Sequence, residues 1–183
     1  MGSGTIIAVA NYQRTYGLEV TGTITDELLL ALEIAPPEAT EVAYASTKAF
    51  LDKLDAEYFT YTLRGVDDDN DERVSLTIEG EETSYGFIYF FNNDLQHTNI
   101  RVWYLIEFDP ADLLNVVQAC NELNYNYNYA RFYVDESDNT VTVSMDLIYK
   151  LEDAGEVVWE ATRRMTNIIN EAYPTLSKFK VEQ

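Results

Sequence analysis

The sequence has very few of the residues on which most catalytic and metal sites are built. Among its 183 residues there are one cysteine, Cys120, and one histidine, His97. An intrachain disulfide needs a pair of cysteines, and a structural zinc site needs several cysteine or histidine ligands. A Ser–His or Cys–His catalytic pair would have to use His97, which lies in a polar stretch beside Gln96 and Thr98. We therefore predict no catalytic, cofactor-binding or metal-binding residues.

Basic residues are also scarce. The chain has 12 Lys and Arg against 32 Asp and Glu, which gives a formal net charge of -20. Such a surface repels nucleic-acid backbones and anionic lipid, so neither is expected as a partner. The longest apolar runs, residues 28–32 and 85–91, are far too short to cross a bilayer, and no membrane insertion is predicted.

Phosphate-binding loops and targeting signals are missing as well. The eight glycines are scattered and form no phosphate-binding motif. No basic segment followed by an apolar one opens the chain as given, which favours the cytoplasm. An extracytoplasmic location would follow if an upstream signal peptide had been removed.

The clearest structural pattern lies in residues 108–145. Asp109 is a typical helix N-cap residue, and Pro110 suits the first helical position. Apolar residues then recur at three- and four-residue spacing, which predicts one buried helix face: Leu113, Val116, Val117, Cys120 and Leu123. The spacing changes to two after Asn124, which predicts a β-hairpin that turns at residues 136–139. The single cysteine is thus predicted to pack in the core.

Residues 1–35 are predicted to form a small helical unit, and residues 36–41 a linker to a main domain over residues 42–183. Residues 8–22, AVANYQRTYGLEVTG, resemble the second half of a peptidoglycan-binding domain, with its AV-x-x-(F/Y)Q-x-x-x-GL-x-x-x-G pattern. Leu28 replaces the usual Thr, and the family's first helical repeat is missing. The resemblance implies peptidoglycan attachment through residues 5–34. A helical cap on the main domain is the alternative interpretation.

The main domain is predicted to be α+β, with helices packed on one face of an antiparallel sheet. A helix over about residues 41–57 precedes four strands, at residues 58–64, 73–79, 85–91 and 100–108. The capped helix and hairpin follow them. A final helix over residues 155–173 is expected to end at Pro174.

The middle strands are apolar on both faces. In residues 85–91, one face carries Phe87, Tyr89 and Phe91, and the opposite face carries Ile88 and Phe90. In residues 100–108, one face carries Val102, Tyr104, Ile106 and Phe108, and the opposite face carries Trp103 and Leu105. Since a sheet face in water would be polar, we expect part of the second face to be covered, by residues 1–35 or by a second copy of the chain. A homodimer is the favoured interpretation.

The order of elements, with the Asn121-Glu122-Leu123-Asn124 helix end before Phe132-Tyr133-Val134-Asp135, resembles the YbjN-like family over about residues 42–180. The resemblance implies the fold of type III secretion chaperones. It also implies a dimeric, non-enzymatic regulator of bacterial sensory transduction that binds a protein partner.

Residues 67–72 have some features of a calcium-binding loop. Asp67, Asp69 and Asp71 have the one-three-five spacing, but an EF-hand needs Gly and Glu where Glu72 and Ile78 stand. A hydrated hairpin loop is the favoured interpretation, and weak cation binding is the alternative.

Residues 124–129 alternate asparagine and tyrosine. In an extended chain Tyr125, Tyr127 and Tyr129 would share one face, which suits stacking on a sugar ring. The favoured interpretation is a helix end that enters a strand, with the tyrosines half-buried on the sheet.

Overall fold

A computed structural model describes residues 39–92 and 96–181, so the predicted unit over residues 1–35 lies outside the described residues. Within them, no helix is both long and apolar enough to span a membrane. The described helices are α1 Ala45–Ala56, α2 Leu113–Asn126 and α3 Ala154–Leu176. The described strands are β1 Tyr61–Val66, β2 Asp71–Glu79, β3 Ser84–Asn92, β4 His97–Glu107, β5 Arg131–Asp135 and β6 Thr140–Ile148.

The strands form one antiparallel sheet in the order β1-β2-β3-β4-β6-β5. β4 pairs with β6, and β5 pairs only with β6 at the edge of the described sheet. All three helices contribute buried residues to a single core on one side of the sheet. The predicted α+β class, with helices packed on one face, is therefore confirmed. We name the face under the helices the core face and the opposite one the second face.

The aromatic residues of β3 form the centre of the core. Phe87, Tyr89 and Phe91 follow one another along the core face, with ring centroids 6.2 and 6.4 Å apart. Phe50 of α1 packs against Tyr89 at 4.6 Å. The Tyr89 hydroxyl hydrogen-bonds the Thr162 Oγ1 of α3 at 3.1 Å, so this buried polar group is satisfied. β3 thus holds both α1 and α3.

The final helix packs closely against α1 and is longer than predicted. A Cβ atom on Gly155 would lie 2.4 Å from the carbonyl oxygen of Ala49, so only glycine allows this approach. The prediction that Pro174 ends the helix is wrong, since α3 continues to Leu176. Pro174 removes one backbone hydrogen bond close to the helix end, and the completely buried Leu176 holds the last turn against the core.

A buried carboxylate joins the first hairpin to α1. Glu72 of β2 is 0% exposed and accepts hydrogen bonds from the backbone N–H groups of Ala43, at 2.6 Å, and Tyr44, at 3.0 Å. Tyr44 is the N-cap residue of α1, so the carboxylate lies where the helix dipole favours a negative charge. The helix therefore begins at Ala45, later than the predicted start at residue 41.

The predicted cap before α2 is confirmed. The Asp109 Oδ1 accepts a hydrogen bond from the backbone N–H of Ala111 at 2.8 Å. The cap opens a 3-10 turn, Pro110–Asp112, and the α-helix follows from Leu113. The proline supplies a fixed φ at a position where no intrahelical hydrogen bond is lost.

The Asn124 side chain joins α2 to β5. Its amide nitrogen donates to the carbonyl of Phe132 at 2.8 Å, and its oxygen accepts from the Phe132 N–H at 2.7 Å. This amide pairs with β5 much as a neighbouring strand residue would. α2 continues through Tyr125 to Asn126 and β5 begins at Arg131, so the favoured interpretation of a helix end ahead of a strand is confirmed. The tyrosines are not half-buried on the sheet as predicted, since Tyr125 and Tyr129 are exposed.

Asn124→Ala is expected to lower the free energy of unfolding by about 1–2 kcal/mol, because both backbone groups of Phe132 lose their partner. Urea unfolding followed by circular dichroism measures this loss. The matched control is Asn121→Ala, on the exposed surface of the same helix, with an expected change below about 0.5 kcal/mol. Equal losses in the two variants would contradict the role assigned to Asn124.

Candidate functional site on the second face of the sheet

The second face carries an arginine–aromatic cluster, which we define as Arg73, Phe90, Arg101 and Trp103. Strand pairing brings these residues together. Arg73 lies opposite Phe90, and Arg101 lies opposite Ile88, which is two residues before Phe90 on β3 and therefore on the same face. Each guanidinium lies 5.0 Å from the Phe90 ring centroid. Trp103 meets the same ring edge-on at 5.7 Å. Phe90 is 7% exposed, although none of the described helices packs on this face.

Arginine is concentrated on this face. Directly paired residues of neighbouring strands share a face. Arg64 pairs with Arg73, and Ser144 pairs with both Arg101 and Arg131, so all four arginines lie on the second face. In a chain with a formal net charge of -20, this surface therefore combines positive groups with the prevailing negative ones.

A bulge in β4 borders the cluster. Val102 and Ile106 both face the core, and their partners on β6 are separated only by Thr142. β4 thus has two residues more than β6 between these points, and residues 103–105 form the bulge.

Tyr104 lies at the middle of the bulge. Its φ of 56° is in the left-handed region, which bulky side chains rarely adopt. The sequence pattern predicted Tyr104 on the same face as Val102 and Ile106, and this prediction is wrong, since those two residues are buried in the core and Tyr104 is 65% exposed. Leu105 is buried instead. The alternation in residues 100–108 is unbroken, so it contains no signal of the extra residues.

A cleft of about 380 Å³ lies beside the bulge, and we name it the tyrosine cleft. It is lined by Arg101, Trp103, Tyr104, Tyr133, Asp135, Asp138, Thr140 and Thr142. Partial burial of the Tyr104 hydroxyl and the neighbouring Asp138 carboxylate both raise the pKa of this tyrosine. Asp138 also accepts a hydrogen bond from the Thr140 hydroxyl at 2.6 Å. The cleft thus combines aromatic walls with charged groups of both signs.

The charges of the tyrosine cleft lie at opposite ends. Arg101 pairs with Ser144, whereas Asp135 pairs with Thr140, four residues earlier on β6. At the usual rise of a strand, these two levels are about 13 Å apart. The backbone positions of Arg101 and Asp135 therefore lie at different levels of the cleft.

The acidic residues 67–72 are mostly engaged in structure. The Asp67 Oδ1 accepts from the backbone N–H groups of Asp69 and Asp71, each at 3.0 Å, and its Oδ2 accepts from the Arg73 Nε at 2.8 Å. Glu72 is buried beneath α1 and is not part of a hydrated loop. Across residues 39–92 and 96–181, no three acidic, histidine or cysteine side chains are grouped to hold a metal ion.

Cys120 and His97 do not come together. Cys120 is buried in the core as predicted, and burial raises the pKa of its thiol to about 11. Such a thiol is protonated near neutral pH and is a weak nucleophile. The His97 Nε2 lies 3.3 Å from the Asp146 Oδ1 on the second face.

The tyrosines of residues 124–129 have separate environments. The Tyr127 hydroxyl donates to Glu171 of α3 at 3.0 Å. The Tyr129 ring lies under Arg164 of the same helix, with 4.8 Å between the guanidinium carbon and the ring centroid. Tyr125 is 88% exposed at the end of α2. They therefore form no common stacking surface for a sugar.

Two solved structures are similar to this chain. The first is titled "Crystal structure of YbjN, a putative transcription regulator from E. coli" and has 12% identity and a TM-score of 0.49, covering 76% of this chain and 96% of that chain. The second is titled "Crystal Structure of the ExsC-ExsE Complex" and has 12% identity and a TM-score of 0.45, covering 74% of this chain and 94% of that chain.

A search of curated proteins found no match. The sequence model of the YbjN family, whose description is "Putative bacterial sensory transduction regulator", matches residues 48–172. The matched segment begins within α1, includes the whole sheet and ends within α3. It covers more than half of the chain, and the protein therefore belongs to the YbjN family.

Proposed function

We propose that this protein is a non-enzymatic regulatory module that binds a protein partner through the second face of its sheet. The arginine–aromatic cluster is the observation that carries the proposal. Tryptophan and arginine are the side chains that most often dominate the energetics of protein interfaces. Here Trp103 is 37% exposed and Arg101 stacks over both it and Phe90, so apolar area and hydrogen-bond donors are presented together.

The rigidity of the cluster supports the same function. Arg73 is held by Asp67, and the Arg101 Nε donates to the Asn99 oxygen. Guanidinium groups that are already ordered lose less conformational entropy when a partner binds. The face is also built on paired strands, which hold side chains more firmly than loops do.

The outer surface of the helices is a weaker candidate. Exposed acidic residues dominate it, including Glu152, Asp153, Glu156, Glu160 and Glu171. Interface centres are depleted in carboxylates and enriched in aromatic residues and arginine. The second face matches this composition, and the helical surface does not.

Photo-crosslinking in the source cells tests the proposed face. We expect p-benzoylphenylalanine at position 103 or 133 to crosslink one and the same protein, identified by mass spectrometry. The control position is Gln118, exposed on α2. Arg101→Glu should then weaken binding of the purified partner at least about tenfold, since it removes the guanidinium that stacks over Phe90 and Trp103. Equal crosslinking from all three positions, or none from 103 and 133, would refute this face as the binding site.

The proposed module is a homodimer, as the sequence resemblance to the YbjN-like family implies. Apolar residues of the second face outside the arginine–aromatic cluster, such as Ile88, support partial cover by another copy. Multi-angle light scattering at high micromolar concentration is expected to give twice the chain mass of 20.9 kDa. A strictly monomeric mass under those conditions would rule out the dimer.

Cell-wall attachment is the second candidate function, and the resemblance of residues 8–22 to a peptidoglycan-binding domain favours it. In that case the main domain would be a passenger or sensor. The full chain is then expected to sediment with purified peptidoglycan, and a chain lacking residues 1–35 is not. Failure of the full chain to sediment would remove this alternative.

A further inference from the structure

We propose that the tyrosine cleft binds a lysine or arginine side chain from a basic segment of the partner protein. This inference deepens the proposed function and rests on it. The cation would lie between the aromatic rings and pair with the carboxylates of Asp135 and Asp138.

The aromatic walls provide the first part of the argument. Trp103 and Tyr104 come from the β4 bulge, and Tyr133 comes from β5, with β6 between them. The cleft volume of about 380 Å³ has room for one cationic side chain, and the faces of Trp and Tyr rings attract cations.

The position of the charges provides the second part. Asp135 and Asp138 line the cleft on the side where β5 and β6 are connected. Arg101 lines it at the other end and is turned towards the rings of Phe90 and Trp103, over which it stacks. The backbone positions of Arg101 and Asp135 differ by about 13 Å along β6, and the Arg101 guanidinium itself stacks on the Trp103 ring at 5.8 Å.

The charge of the whole chain favours the same class of ligand. A formal net charge of -20 attracts basic segments and repels acidic ones, which raises the association rate of a basic partner.

The backbone of Tyr104 provides an independent argument. A left-handed φ is costly for a bulky residue, yet here it holds a tyrosine that is 65% exposed and has little role in the core. Strain of this kind is concentrated at binding and catalytic sites, where the surrounding structure maintains it. The bulge presents the Tyr104 ring to the cleft, where its hydroxyl interacts with the Asp138 carboxylate.

Binding can be measured with a defined probe. The chain has two tryptophans, and Trp159→Phe leaves Trp103 as the single fluorescent reporter of the cleft. We expect acetyl-Arg-Arg-Arg-amide to change the Trp103 emission saturably, and the uncharged acetyl-citrulline tripeptide amide to leave it unchanged. Equal responses to both peptides would overturn the assignment to a cation.

Matched variants separate the cleft from general charge attraction. Asp135→Asn with Asp138→Asn, and the control pair Glu152→Gln with Asp153→Asn, each reduce the net charge from -20 to -18. We expect the cleft pair to weaken peptide binding about tenfold and the control pair less than about twofold. Equal weakening in the two pairs would show non-specific attraction and refute the cleft.

Tyr104→Asn distinguishes a binding role from a structural one. Asparagine tolerates the left-handed conformation but has no aromatic ring. The urea midpoint is expected to stay the same or rise, while peptide affinity falls about fivefold. A lower midpoint with unchanged affinity would assign Tyr104 to the fold.

The inference and the proposed function can fail separately. A partner crosslinked at positions 103 and 133, together with no peptide binding in the cleft, would overturn the cation site and leave the second face as the interface. Peptide binding that depends on Asp135 and Asp138 supports the cation site even where no crosslinked partner is found.

Discussion

The architecture depends on how β4 is paired in the middle of the sheet. Val102 and Ile106 must both face the core, and the side chain of each is only 1% exposed. On β6 the residues that pair with them are only two positions apart. The two extra residues of the bulge keep the alternation of β4 in phase on both sides of it, so Val102 and Ile106 point to the same face. The core therefore remains continuous while residues 103–105 bulge.

The same strands form the core and the candidate binding surface. Phe87, Tyr89 and Phe91 pack under α1 and α3, and Phe90 lies on the opposite side between two arginines. Because residues alternate along a strand, the tight packing of one face fixes the positions of the side chains on the other. The cluster is thereby presented on a rigid support, as the proposed binding of a partner requires.

Carboxylates have several roles in this acidic chain. Glu72 is buried and accepts hydrogen bonds from the backbone N–H groups just before α1. Asp67 accepts hydrogen bonds within its turn and from Arg73, which it orients. Asp135 and Asp138 remain at the surface of the tyrosine cleft. Residues of the same charge thus stabilise the fold at one end of the sheet and line a site near the other. Asp135 and Asp138 also accept hydrogen bonds, but from donors two residues away, Ser137 and Thr140, whereas Glu72 joins segments 28 and 29 residues apart.

Most of the secondary structure is encoded by the spacing of residues that are near one another in the sequence. The period of α2, the Asp109 cap, the alternation of the strands and the α+β class all follow from residues a few positions apart. The family resemblance came from the same local pattern, and the match to residues 48–172 confirms it. These features were predictable because each depends on near neighbours in the chain.

Other features depend on contacts between segments that are distant in the sequence, and they can be seen only in the folded structure. The exposure of Tyr104 follows from the spacing on β6, about 40 residues away, and an insertion of two residues leaves the alternation of β4 unchanged. Glu72 is buried because the N–H groups of Ala43 and Tyr44 lie above it. Leu176 extends α3 past Pro174 because the core receives its side chain. In each case the free energy of a long-range contact exceeds the local preference of the chain.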